Sequence, residues 1–209
     1  MKREIDIEKL DHFMDDDNYM KLVDNIIDEL KNCEIEDFIP GKSERWKNYN
    51  EKVENHRKEL CDIIYPYLEE NIYGCPIKTI DIKFLRHLKT DKKIQDGAFL
   101  WHSDNHPPTT VNIIVYLTDV GERDGGMEWG EHNGNVLKRP YTEPRGGHVL
   151  EDEANHFIND ENFKVHKMTG KKGTVFIFDN CIFHRASLPL DKDRDAFLLQ
   201  VEPSSERIV

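Results

Sequence analysis

Four residues, His102, Asp104, His184 and Arg194, carry the clearest chemical signal in this chain of 209 residues. Two histidines and one carboxylate are the ligand set that holds non-haem Fe(II) and leaves coordination positions open for substrate and O₂. Arg194 follows His184 by ten residues (194 − 184), and its permanently charged guanidinium forks onto carboxylates. This order of residue types favours iron-dependent oxygenation with a carboxylate bound near the metal.

The His-x-Asp spacing has little weight alone, because about one such pair is expected by chance in a chain of this composition. Its context is more informative, since the pair directly follows the apolar run 99–101. Residues i and i+2 of a strand point to the same face, so an extended segment would direct both side chains to one metal. His184 follows a strand-like run at 174–178 and Arg194 opens another, so a sheet fold can bring all four residues together.

The elements that must position these residues are predicted from periodicity. Apolar residues recur at three-to-four-residue spacing from Tyr19 to Leu30 and from Val53 to Ile72, which predicts two amphipathic helices. From residue 77 onwards, turn signals separate short runs of β-branched and aromatic residues, at 77–85, 98–101, 111–117, 174–178 and 196–201. Many short strands of this kind are typical of a sandwich or jelly-roll barrel.

We therefore predict a single domain over residues 1–209, mainly β with N-terminal helices. Residues 1–76 would form a helical support and residues 77–203 the jelly-roll core. Within that core, residues 126–172 show little periodicity. They are predicted to form an insert or lid, because long irregular segments inside compact domains are usually functional or disordered.

The sequence resembles the Fe(II)/2-oxoglutarate-dependent dioxygenase superfamily, in its phytanoyl-CoA-dioxygenase-like or prolyl-hydroxylase-like branch. Besides the four residues above, the landmarks are the segments 115–120, 125–127 and 173–176, and the resemblance covers residues 78–203. It implies a double-stranded β-helix (jelly roll, cupin-like). It further implies that His102, Asp104 and His184 bind Fe(II), that 2-oxoglutarate chelates the iron, and that Arg194 binds the 5-carboxylate. O₂ is the other cosubstrate that the resemblance implies.

Further candidates surround this centre. Tyr116 stands where related hydroxylases place a hydroxyl donor to the cosubstrate carboxylate, although a role as a core aromatic residue explains it equally well. Asn112 has the strand parity of Tyr116 and could face the cosubstrate, but a structural role is favoured for it. Substrate contacts are considered, against a plain packing or surface role, for Arg86, His106, Trp129, Arg139 and Arg145.

The resemblance implies hydroxylation of an aliphatic C–H bond of a small molecule, with release of succinate and CO₂. Asp104 favours hydroxylation over halogenation, since related halogenases carry a small residue at that position. Three alternatives stay open. The chain could hydroxylate a protein residue (prolyl-type), with residues 126–172 clamping a peptide. It could be a non-catalytic jelly-roll protein that binds or senses a ligand, or a cupin-like metalloenzyme that works without 2-oxoglutarate.

Bulk composition argues against several other classes. The net charge is −12, so nucleic acid is not an expected partner, because phosphate binding needs a concentrated basic face. No apolar stretch approaches the ~20 residues that cross a bilayer, and residues 1–6 are too acidic for a secretory signal. The four cysteines form no C-x-x-C pair, which is typical of reduced thiols. The sequence thus predicts a cytoplasmic enzyme that does not associate with membranes.

Overall fold

A computed structural model describes residues 3–39, 43–91, 97–104, 106–139 and 151–208, without the side chains of 38–39 and 151–153. In chain order, the elements are β1 (Ile7–Leu10), α1 (Asp17–Leu30), β2 (Glu34–Ile39), β3 (Ser43–Lys47), α2 (Glu51–Leu68), β4 (Ile77–His87), β5 (Val111–Tyr116), β6 (Met127–His132), β7 (Asn135–Val136), α3 (Glu151–Ile158), β8 (Phe163–Lys167), β9 (Val175–Asp179), β10 (His184–Ala186) and β11 (Arg194–Pro203).

Two antiparallel sheets enclose the centre of the molecule. The larger sheet has the strand order β1-β9-β5-β11-β4-β3-β2. In the smaller sheet, β6 pairs with β10, β7 and β8. One apolar cluster draws Ile114, Phe176 and Phe178 from the larger sheet and Met127 from the smaller sheet. The predicted double-stranded β-helix with N-terminal helices is confirmed.

The central strands of the larger sheet separate two environments by simple alternation. On β5, Val111, Ile113 and Val115 are buried in the same cluster as the residues of α1 and α2. The intervening side chains point between the two sheets, because successive residues of a strand face opposite ways. On β11, the same alternation places Arg194, Ala196, Leu198 and Gln200 on the inner face. Polar residues on these strands are therefore presented to the interior of the barrel.

The two predicted helices support the outer face of the larger sheet. The side chain of Asp16 caps α1 by accepting hydrogen bonds from the backbone N–H groups of Asn18 and Tyr19. Asn50 caps α2 in the same way through the N–H of Val53. A π-helical turn continues α2 to Gly74, which takes the left-handed conformation (φ +66°) that ends it. The apolar faces of both helices pack into one cluster with β5, β9 and β11.

Two expectations about the flanking segments need correction. Residues 1–76 were expected to be a helical support, but they also supply β1, β2 and β3 to the larger sheet. Residues 126–172 were expected to form an irregular lid. In their described parts they contain β6, β7, α3 and β8, and thus most of the smaller sheet. Residues 140–150 of that segment lie outside the described residues.

Among the helices that the structure describes, none combines the length and the apolar character needed to cross a membrane.

Candidate metal centre

The side chains of His102, Asp104 and His184 converge at one end of the space between the sheets. Their ligand atoms all lie within 4.8 Å of one another. Oδ1 of Asp104 lies 3.6 Å from Nε2 of His102 and 3.8 Å from Nε2 of His184. Within the described ranges, this is the one group of at least three His, Cys, Asp or Glu side chains with donor atoms so close together. The donor set and its spacing fit one divalent ion of the non-haem iron type.

Each histidine ring is oriented by the backbone carbonyl of the residue two positions before it. Nδ1 of His102 lies 2.7 Å from the carbonyl oxygen of Leu100, and Nδ1 of His184 lies 2.8 Å from that of Ile182. A carbonyl only accepts hydrogen bonds, so each Nδ1 must carry the proton. The lone pairs of the two Nε2 atoms therefore face Asp104, as ligation of a metal requires.

The backbone joins the two histidines across the smaller sheet. His102 and His184 exchange two N–H···O bonds of 2.9 Å as an isolated antiparallel bridge. The expected strand at 98–101 is absent, because Gly97–Phe99 forms a 3-10 turn. Asp104 lies in the loop that follows, and its backbone N–H donates to the carbonyl of Asn180 at 3.1 Å. His102 is thus positioned by the bridge and Asp104 by the loop. The extended segment that was predicted to carry both side chains does not form.

A cavity of about 450 Å³ opens beside the three ligands. Inward side chains of β4, β5 and β11 form much of its wall, and the smaller sheet contributes Met127 and Ala186. Most of the lining surface is apolar, with Leu85, Ile114 and Leu198 as its larger aliphatic members. Arg194 also lines this cavity, so the cation and the three candidate ligands share one cavity.

Arg194 is a buried cation, with 5% of its surface exposed. Its Nη1 donates to the carbonyl of Gly125 at 2.5 Å, and its Nη2 donates to Nδ1 of His87 at 2.6 Å. Among the described residues, no carboxylate forms an ion pair with it, and its Nε has no hydrogen-bond partner. Burial lowers the pKa of the Arg194 guanidinium. A charge taken out of water without a counterion is costly, so this end of the cavity is suited to bind an anion.

His87 is a site residue that the sequence did not reveal. It lies opposite Arg194 in the register of β4 and β11, and its side chain lines the cavity. Burial, followed by the nearby guanidinium, holds the pKa of His87 well below its usual range. The imidazole is therefore neutral and accepts a hydrogen bond from Arg194. Only the pairing of β4 with β11 could have identified it.

Tyr116 and Asn112, the two further residues expected to contact the cosubstrate, both make hydrogen bonds within the protein. The hydroxyl of Tyr116 is fully buried and donates to the carbonyl of Met168 at 2.9 Å. The amide of Asn112 donates through Nδ2 to Oδ2 of Asp104 at 2.5 Å. Tyr116 thus has its only proton committed to the backbone, and Asn112 contacts a candidate metal ligand.

Of the candidate substrate contacts within the described residues, only His106 lines the cavity. Trp129 lies opposite His184 in the β6–β10 register and stacks on His166, with ring centroids 4.2 Å apart. Arg139 is half-buried and is not among the lining residues. Arg145 lies outside the described residues.

Arg86 requires a correction, because it lies on the opposite face of β4 from the cavity. Its Nε and Nη2 donate to the two carboxylate oxygens of Asp195 at 2.7 and 2.8 Å. Its guanidinium carbon also lies 4.9 Å from the ring centroid of Trp46. Strand alternation, which places His87 inside, places Arg86 outside.

The chain is similar to known proteins in sequence and in fold. The sequence model of the phytanoyl-CoA dioxygenase (PhyH) family matches residues 49–188, a span that contains all three candidate ligands. No curated protein sequence matches the chain significantly.

Several solved structures share the fold. HygX from Streptomyces hygroscopicus, with nickel and 2-oxoglutarate bound, is 14% identical with a TM-score of 0.61, over 95% of this chain and 83% of that one. The carbocyclase SnoK from nogalamycin biosynthesis is 17% identical with a TM-score of 0.67, over 96% and 81%. The epimerase SnoN, in complex with Fe³⁺, α-ketoglutarate and nogalamycin RO, is 15% identical with a TM-score of 0.63, over 94% and 78%. At these identities the similarity concerns the fold.

Proposed function

Since the chain belongs to the phytanoyl-CoA dioxygenase family of Fe(II)/2-oxoglutarate-dependent oxygenases, we propose that it hydroxylates an aliphatic C–H bond of a small molecule. In this reaction 2-oxoglutarate and O₂ are consumed, and succinate and CO₂ are released. His102, Asp104 and His184 bind Fe(II), and Arg194 binds the distal carboxylate of 2-oxoglutarate.

The observation that carries the proposal is the position of Arg194. It is a buried cation without a carboxylate partner among the described residues, in the same cavity as three convergent metal-ligand atoms. 2-Oxoglutarate has an oxo-acid end that chelates a metal and a second carboxylate at its other end. It therefore matches both features at once, and its second carboxylate would supply the counterion that Arg194 lacks.

The metal fits the donor set, because Nε2 of His102, Nε2 of His184 and Oδ1 of Asp104 face one point with their other polar atoms already engaged. When bound, Fe(II) together with 2-oxoglutarate would activate O₂, which is the oxidant needed to functionalise an unactivated carbon. The part of the chain is to hold these groups and to exclude water. Leu85, Ile114 and Leu198 provide an apolar wall around the reacting positions.

A small-molecule substrate is supported by the dimensions of the cavity. Its volume of about 450 Å³ lies in the range typical of small-molecule sites. The similar structures of HygX and SnoN contain small molecules, hygromycin B and nogalamycin RO respectively. His106 on the cavity wall is the residue proposed to contact the substrate.

The test is an anaerobic titration of the Fe(II)-loaded protein with 2-oxoglutarate, followed through the weak visible charge-transfer band of the chelate. We expect the band in the wild type and a large rise in the 2-oxoglutarate concentration needed to produce it in Arg194→Ala. Succinate release, stimulated above the substrate-free rate by members of a small-molecule panel, then identifies the substrate. Bound iron without the band would instead indicate a cupin-like metalloenzyme, and absence of iron binding would indicate a ligand-binding protein.

A further inference from the structure

Asp104 differs from the two histidines in how it is held. His102 and His184 are fixed by a shared backbone bridge, whereas Asp104 lies in a loop. A carboxylate has two equivalent oxygens, and a rotation about its terminal torsion can present either or both of them to a cation. The number of Asp104 oxygens that face the metal position must therefore be fixed by the groups around the carboxylate.

A chain of two buried amides reaches this carboxylate. Nε2 of Gln200 donates to Oδ1 of Asn112 at 2.7 Å, and Nδ2 of Asn112 donates to Oδ2 of Asp104 at 2.5 Å. Asn112 and Gln200 are directly opposite each other on β5 and β11, and their exposed fractions are 0% and 5%. Buried amides lose water and must be satisfied within the protein. The two hydrogen-bonded amides are thus held in place by the central strands β5 and β11.

The direction of this chain follows from chemistry. An ionised carboxylate only accepts hydrogen bonds, so Asn112 must present its amide nitrogen to Asp104. Its amide oxygen then points to β11, where only a donor can satisfy it, and Gln200 supplies that donor. Gln200 thereby prevents Asn112 from turning its oxygen towards Asp104, where two acceptors would repel each other.

We propose that Asn112 and Gln200 are positioning residues for the metal centre, which hold Oδ2 of Asp104 away from the ion and leave Oδ1 as its single carboxylate ligand. This rests on the proposed function, because it takes the three convergent side chains to bind Fe(II). Oδ1 is the oxygen that faces both Nε2 atoms, at 3.6 and 3.8 Å, while Oδ2 is engaged by the amide. A single carboxylate oxygen keeps the remaining coordination positions free for 2-oxoglutarate and O₂.

The proposal is tested by Co(II) binding, measured as a dissociation constant by competition with a chelator and as the visible absorption spectrum of the bound ion. Asn112→Leu has a similar volume but no donor. We expect its Co(II) affinity to fall about 10- to 100-fold, the usual effect of removing a partner that orients a ligand, together with a changed spectrum. Gln200→Met should move both readouts in the same direction by a smaller factor, because Asn112 is retained but can turn.

The double variant Asn112→Leu/Gln200→Met separates positioning from general damage. Gln200 acts through Asn112, so the double variant should bind Co(II) no more weakly than Asn112→Leu alone. Tyr19→Phe is the matched control, because it removes a buried hydrogen bond of 2.7 Å to the carbonyl of Gly173 next to α1. It should lower the free energy of unfolding and leave Co(II) binding unchanged.

Several outcomes would overturn the inference. They are wild-type affinity and spectrum in Asn112→Leu, or losses in the two single variants that simply add. Should Asn112→Leu fail to fold, an unaltered spectrum in Gln200→Met would be enough to reject it. Absence of Co(II) binding by the wild type would overturn both this inference and the proposed function. Failure in the variants alone leaves the proposed function standing.

Discussion

Arg194 and His87 lie opposite each other on neighbouring strands of the larger sheet, and Nη2 of the guanidinium donates to Nδ1 of the imidazole at 2.6 Å. A cation can donate to this nitrogen only while the histidine is neutral. The pair therefore combines a permanent charge for an anionic ligand with a titratable group that must stay unprotonated in the folded state.

This pairing predicts a specific dependence of stability on pH. The pKa of His87 is lowered in the folded protein below its ordinary value of 6.5, by burial and then by Arg194. Its neutral form thus contributes stability that is present above pH 6.5 and lost as the pH falls towards the folded-state pKa. His87→Gln keeps an acceptor but does not titrate. Below pH 6.5, the wild type should lose stability relative to this variant by up to about 1.4 kcal/mol per pH unit.

Urea unfolding of the metal-free proteins at pH 7.5, 6.5 and 5.5 measures this difference. The two proteins differ only at residue 87, so the comparison isolates His87. Parallel pH profiles of the two proteins would show that His87 is not buried in its neutral form.

A second prediction concerns Arg194→Met. Without 2-oxoglutarate, its free energy of unfolding should stay within about 1 kcal/mol of the wild type or exceed it, because removal of an unpaired buried charge offsets the lost hydrogen bonds. In the metal-loaded protein, the dissociation constant for 2-oxoglutarate should rise on the order of 100-fold, as is usual when one partner of a buried charge pair is removed. Calorimetric titration and thermal unfolding with and without 2-oxoglutarate measure both effects.

Arg207→Met is the matched control for that experiment. Arg207 pairs with Glu69 on the surface, so its loss should leave 2-oxoglutarate binding unaltered. Equal affinities in Arg194→Met and the wild type would favour a metalloenzyme that does not use 2-oxoglutarate.

The sequence predicted those parts of the fold whose local pattern agrees with their final environment. The segments that form β5, β9 and β11 are rich in β-branched and aromatic residues, and both of their faces are largely buried. Their composition alone therefore predicts strands. The apolar periodicity of α1 and α2 likewise matches the single face that each helix buries. The His-x-Asp pair, His184 and Arg194 were found by residue type and order.

The parts that were missed depend on tertiary pairing. β8 has the sequence FKVHK, with exposed Lys164 and Val165, and it becomes a strand because β6 pairs with it. The role of His87 requires the register of β4 against β11. The contact of Asn112 with Asp104 requires a loop geometry that no spacing rule gives. In each case the decisive partner is distant in the chain.

Tyr116→Phe tests whether the buried hydroxyl serves the fold or the cosubstrate. Because its proton is donated to the carbonyl of Met168, the variant should lose about 1–3 kcal/mol of stability, the usual cost of leaving a buried acceptor unpaired. Its affinity for 2-oxoglutarate should stay close to that of the wild type. Urea unfolding and the charge-transfer titration give the two quantities. A rise of tenfold or more in the dissociation constant would instead assign the hydroxyl to the cosubstrate.

Asp104→Ala should abolish metal binding and turnover without unfolding the protein. The apolar clusters on both faces of the larger sheet supply most of the packing, so the fold is expected to persist without a bound ion. Metal analysis, far-UV circular dichroism and denaturant unfolding measure the outcome. Loss of cooperative unfolding in this variant would show that the metal has a structural role.

Arg86 and His87 are adjacent in the chain but lie on opposite faces of β4, which gives a matched pair of variants. Arg86→Met removes the forked hydrogen bonds to Asp195 and leaves a largely buried carboxylate unpaired. It should cost about 1–3 kcal/mol of stability with no change in the affinity for 2-oxoglutarate. Arg86→Met/Asp195→Leu should recover part of that stability, because both charges are then removed.

His87→Leu should differ by weakening the binding of 2-oxoglutarate, since it frees the guanidinium of Arg194 to turn. It should also cost about 1–3 kcal/mol of stability, because a buried guanidinium N–H loses its acceptor. Unfolding and calorimetric titration of both variants, side by side, give the comparison. Weaker binding in Arg86→Met at unchanged stability would mean that Arg86 acts on the cavity from the outer face, contrary to the alternation of β4.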